Sequence, residues 1–79
     1  MEIGEVTEYF SKNNACIINI KSLIKCNDTV LCEKNGDWIK ATINSIQLND
    51  AKVETTDTGE CGIVFDRIIK KGYKIYKRQ

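Results

Sequence analysis

The chain is 79 residues long, 42% apolar and 29% charged, with a formal net charge of +1. That balance excludes an unfolded polyelectrolyte, and the length leaves room for one domain, residues 1–79, with a small core and little space for a deep substrate cavity. The absence of histidine removes the commonest general base and the commonest metal ligand together.

In chain order, the first predicted strand is Gly4–Phe10 and the second Ala15–Ile20, whose Cys16, Ile18 and Ile20 alternate onto one face. Ser22–Lys25 has the makings of one helical turn at most. A third strand, Thr29–Lys34, runs into Asn35-Gly36, the strongest short hairpin signal because both turn residues must tolerate positive φ. The fourth strand, Asp37–Leu48, is long, and its apolar phase slips from Ile39, Ala41 and Ile43 to Ile46 and Leu48. Two faces in one strand predict a bulge near Asn44-Ser45. Strand five is Lys52–Thr55, strand six Glu60–Phe65, and a last strand is Tyr73–Tyr76. Phe65–Lys71 mimics an amphipathic helix but is too short to form one alone.

Punctuation by Asn, Asp and Gly falls every 8–15 residues or so, between short runs rich in Ile, Val, Thr and aromatics, which is an all-β pattern. A chain this small removes exposed edges most easily by closure. The predicted architecture is therefore a small closed Greek-key antiparallel β-barrel of about six to seven strands.

The cysteines, Cys16, Cys26, Cys32 and Cys61, are spaced by 10, 6 and 29, with no metal-knuckle or redox pair among them. Cys16, Cys32 and Cys61 fall on strands as small apolar residues, and Cys26, in a loop beside Lys25, is the candidate reactive thiol. Apolar runs of only a few residues are far below the roughly 20 of a spanning helix. The start, Met-Glu-Ile-Gly-Glu-Val, has no basic or apolar region of an export signal, so the expectation is a cytoplasmic chain away from membranes.

Charge is unevenly placed. Residues 1–65 carry −4, from six Lys against ten Asp or Glu, and residues 66–79 carry +5. Lys70, Lys71, Lys74, Lys77 and Arg78, interleaved with Tyr73 and Tyr76, form a candidate nucleic-acid surface of lysines for phosphate and rings for bases. The same residues also suit a strand end guarded against aggregation, with the tyrosine bodies packed inward. Trp38, beside the Asn35–Asp37 turn, is the candidate protein-interaction residue, or else a core indole at a barrel mouth. No nucleophile elbow, metal spacing or cofactor motif occurs, so no catalytic residue, cofactor or metal is assigned.

Ile3-Gly4-Glu5-Val6, Leu23–Val30, Ile43–Leu48, Thr58–Phe65 and Ile69–Tyr76 together form an ordered set. It resembles the second domain of translational GTPases, the barrel that follows the nucleotide-binding domain in elongation factor Tu and initiation factor 2, and short stand-alone elongation-factor-like proteins. The chain is also similar to the small C-terminal barrel of collagenase-like peptidases. Asn27-Asp28 and Gly72-Tyr73 depart from the translation pattern, as does the lack of an Arg-Gly signature in the first strand pair, so aminoacyl-tRNA binding is not carried over. No Gly-x4-Gly-Lys-Ser/Thr loop is present, which excludes nucleotide hydrolysis. The resemblance implies a non-catalytic protein-interaction or accessory domain partnered with a peptidase-like or other chain. The alternative it implies is contact with RNA or the ribosome through the basic C-terminal segment.

Overall fold

The computed structural model describes residues 2–57 and 59–77. Nine strands follow one another: β1 (Glu2–Phe10), β2 (Ala15–Ile20), β3 (Ile24–Lys25), β4 (Thr29–Lys34), β5 (Asp37–Leu48), β6 (Ala51–Val53), β7 (Thr55–Thr56), β8 (Gly59–Phe65) and β9 (Lys74–Lys77). There is no helix among the described residues, and so none long and apolar enough to cross a membrane. Six strands close into an antiparallel barrel in the order β4-β9-β1-β2-β8-β5, with β5 returning to β4. The strands β4, β5 and β8 are successive neighbours and β9 returns beside β4, which is the Greek-key path. β6 hangs on the far half of β5 as one extra strand.

The turns explain the register. Asn35 and Gly36 sit at φ 54° and 88°, both left-handed, as a two-residue hairpin loop that follows strand twist requires. Lys34 is thereby set opposite Asp37, and every partner from Cys32↔Ile39 to Thr29↔Thr42 follows. Asn49 and Asp50, at 52° and 66°, make a second such turn between β5 and β6. Asp28 ties the β3–β4 turn in both directions. Its carboxylate accepts from the Lys25 N–H at 3.0 Å, and its own N–H donates to the Lys25 carbonyl at 3.1 Å.

The phase slip in β5 is a bulge. Pairing with β8 passes from Ile43↔Phe65 to Ser45↔Val64, leaving Asn44 without a partner. Ile43 and Ile46 can then both point inward, and both are buried. The core is built from Ile3, Val6, Ile18, Ile20, Val30, Ala41, Ile63, Phe65 and Ile75 with Cys16, Cys32 and Cys61. Aliphatic side chains, three thiols and the Phe65 ring meet inside the six-stranded barrel.

One predicted strand differs, and the two segments of weak helical character are both non-helical. Ser22–Lys25 forms no helical turn; Ile24 and Lys25 pair with Thr56 and Thr55 as a two-residue ladder. The predicted strand Lys52–Thr55 is split at Glu54, whose carbonyl is taken by the Cys26 N–H at 2.9 Å. Residues 66–73 are a loop that turns Ile69 into the barrel, where it is fully buried and its carbonyl accepts the Cys16 thiol at 3.0 Å.

Candidate functional site

The outer face of β5, β4, β9 and β1 is laid out by register. One row runs Trp38, Glu33, Lys74 and Glu5; the next runs Lys40, Leu31, Tyr76 and Glu2. Between them Ile39, Cys32, Ile75 and Gly4 form the intervening row, which turns to the opposite face of the sheet. The Trp38 and Tyr76 rings meet across β4, with centroids 5.2 Å apart and planes tilted by 47°. Trp38 nevertheless remains 57% exposed, so it is a surface indole and not a core residue at the barrel mouth. Phe10, Leu23 and Ile68 are also exposed, but this is the one aromatic pair among the described residues.

At the hairpin end of this face, the Lys34 ammonium donates to the Lys71 carbonyl at 2.9 Å and lies 5.9 Å from the centre of the Tyr73 ring. The Lys70–Tyr73 turn beneath it is fixed to β1. The Gly72 N–H donates to the Val6 carbonyl, and the Val6 N–H donates to Tyr73. Gly72 holds φ 99°, and a side chain there would press on the Lys34 stem at 3.1 Å. Glu33, Lys34, Asn35, Gly72 and Lys74 line a shallow depression of about 360 Å³.

The candidate residues therefore divide. Lys70, Lys71 and Lys74 are exposed, with Lys71 and Lys74 gathered around Lys34 at the hairpin end. Lys77 lies at the other end of β9, donating to the Leu23 carbonyl at 3.3 Å, and Arg78 is outside the described residues. Tyr73 packs partly on the core, and Tyr76 lies outside against Trp38. Trp38 and Lys74 flank Glu33 from opposite sides, so one residue of each candidate site read from the sequence lies on this face. Lys34 was not among those candidates. It stands in the acidic part of the sequence, and only the fold brings it to the 70–73 turn.

Three of the four thiols are enclosed. Burial pushes Cys16 and Cys61 up to about 11. Burial pushes Cys32 up to about 12, with smaller upward contributions from Cys16 and Asp66 and an opposing one from Arg67. Near neutral pH all three are protonated and enclosed, so none is a ready nucleophile. Cys26 is half-buried, its thiol 3.5 Å from the Val53 carbonyl, in a shallow groove of about 320 Å³ with Asn27, Asn44, Ser45, Lys52 and Glu54. Among the described residues no three Cys, Asp or Glu side chains converge as a metal site.

No family model matches the chain. It is 27% identical over 78 residues to an uncharacterised protease of Methanocaldococcus jannaschii, across 96% of this chain and 19% of that protein. The chain thus spans about a fifth of that relative's length. Among solved structures it is similar to the C-terminal domain of a Geobacillus thermoleovorans protein assigned as a U32 peptidase. The TM-score is 0.81 at 12% identity, covering 98% of this chain and 99% of that domain's selenomethionine variant, or 91% of a second structure of it. The peptidase resemblance is the one these relatives support; the translation-factor reading gains nothing from them.

Proposed function

We propose that this barrel is a non-catalytic accessory module serving the catalytic body of a U32-type peptidase. The observation that carries this reading is the near-complete overlap with a peptidase's C-terminal domain, together with a protease relative of which the barrel is only a minor part. The chemistry is consistent. The interior holds a cluster of buried apolar side chains, the surface depressions are shallow and the buried thiols are protonated. Such a body offers a partner surface, not a reaction centre.

The test is calorimetric titration of the purified chain into the full-length U32-type peptidases encoded by the same genome. Saturable association with a Kd of about a micromolar or below is expected. The chain alone is expected to hydrolyse neither casein nor gelatin. Lack of association with any such peptidase, or proteolysis by the barrel itself, overturns the reading.

A second reading, contact with RNA or the ribosome, draws on Lys34, Lys71 and Lys74 beside Tyr73, with Lys70 nearby in the same turn. It requires binding that weakens steeply with salt, because phosphate contacts release counterions. Filter binding of structured RNA at low and moderate salt separates the two readings.

A further inference from the structure

From the Trp38–Tyr76 pair and the place of Tyr76 beside the start of β1, we infer that this face, with Leu31 and Lys74, is the surface that docks onto the peptidase body. The inference rests on the accessory reading above and adds which residues make the contact.

Three observations converge. First, an indole left 57% exposed is braced against a second ring at 5.2 Å, so it is held in place before any partner arrives. Residues of this kind, fixed and amphipathic, dominate interface energetics. Second, the composition has an interface layout. Leu31 and Tyr76 are row neighbours and the Trp38 ring reaches Tyr76 diagonally across β4, while Lys40, Glu33, Lys74, Glu2 and Glu5 flank them in register. The exposed Phe10, Leu23 and Ile68 have no such aromatic brace.

Third, the attachment geometry names the occupant. In the Geobacillus protein the similar domain is C-terminal, so the rest of that chain leads into the strand corresponding to β1. Here Glu2, at the start of β1, is the register partner of Tyr76. A body arriving at the start of β1 meets Tyr76 one strand away, with the Trp38 ring braced on it from β5 two strands beyond.

The experiment uses the full chain and the full-length U32-type peptidases of the same genome. Trp38 is the only tryptophan, so growth on fluorotryptophan places a single fluorine reporter at the proposed contact. Docking is expected to shift or broaden that resonance. Trp38→Ala is expected to weaken association about 30-fold or more, and Tyr76→Ala about 10-fold, while Phe10→Ala and Ile68→Ala leave it within about two-fold. The fluorine readout on the unsubstituted chain keeps the test valid if Tyr76→Ala fails to fold. Unchanged affinity in Trp38→Ala with a silent fluorine signal overturns the face while leaving the accessory reading standing. Absence of binding overturns both. Trp38-dependent self-association, or a fluorine shift produced only by RNA, assigns the face to another occupant and overturns the proposal.

Discussion

A methyl group on Gly4 has nowhere to go. A Cβ there would lie 2.8 Å from the Asn19 carbonyl oxygen and 2.8 Å from Cγ2 of Ile18, one of which is backbone that cannot step aside. Gly4→Ala is therefore expected to lower stability by about 1–3 kcal/mol, read as a lower urea midpoint. The sequence marks Gly62, inside an apolar strand, as the glycine for a kink or close backbone approach. A Cβ at Gly62 meets Gln47 only at 3.8 Å, an ordinary contact, so Gly62→Ala should leave the midpoint nearly unchanged. Which glycine is needed depends on the distance between β1 and β2, and no single residue type encodes that distance. The cysteines supply a second residue-scale outcome. Their ordinary value is 9.0, and burial holds Cys16 and Cys61 at about 11 and Cys32 at about 12. Above about pH 9 the unfolded chain loses these protons while the folded chain keeps them. Stability contributed by the buried thiols is thus complete below pH 9 and falls as pH rises towards 11–12. Urea unfolding at pH 7 and about pH 10 should show a lower midpoint at the higher pH. A midpoint unchanged between them would mean that the thiols are not enclosed as described.

At the scale of elements, the sequence was readable wherever structure is local. Asn35-Gly36 marks its hairpin because its φ requirement is carried by two adjacent residues. The β5 bulge shows because Ile43 and Ile46 cannot share a face three residues apart without one. The β3–β7 ladder was not readable. Two residues on each side carry no periodicity, and Ile24 is joined to Thr56 only by the fold. The 66–73 loop was equally opaque. Ile68 and Ile69 are neighbours of the same type in a basic stretch, yet Ile68 is 60% exposed and Ile69 fully buried. Ile69 acts as a plug, packed in the core with its carbonyl on the Cys16 thiol. Ile69→Ala is expected to cost about 2–5 kcal/mol, as much as truncating a core strand residue such as Ile63. Ile68→Ala should stay within about 0.5 kcal/mol. Equal, small effects at both positions in urea titrations would show that the loop merely covers the barrel.

For the molecule as a whole, closure depends on β9. This strand lies between β1 and β4, with Gly4↔Ile75 on one side and Cys32↔Ile75 on the other, and Ile75 is buried. Without it the ring opens along two edges at once and the core is exposed to solvent. The Trp38–Tyr76 surface has the same origin. Its two rings come from β5 and β9 and meet only because β4 carries Glu33 and Leu31 between them in the right register. No local pattern could announce that surface, although each of its parts was visible in the sequence. Removing residues 74–79 is therefore expected to abolish cooperative folding, since long-range closure is what offsets the ordering of the earlier strands. Circular dichroism should lose its sharp thermal transition, and gel filtration should show expanded or aggregated chain. Lys77→Ala, which removes only the bond to the Leu23 carbonyl, should retain a transition within a few degrees of the full chain. A truncated chain that still unfolds in one sharp step near the full-length midpoint would mean that the other five strands are held together without β9, and that the ring is not the cooperative unit.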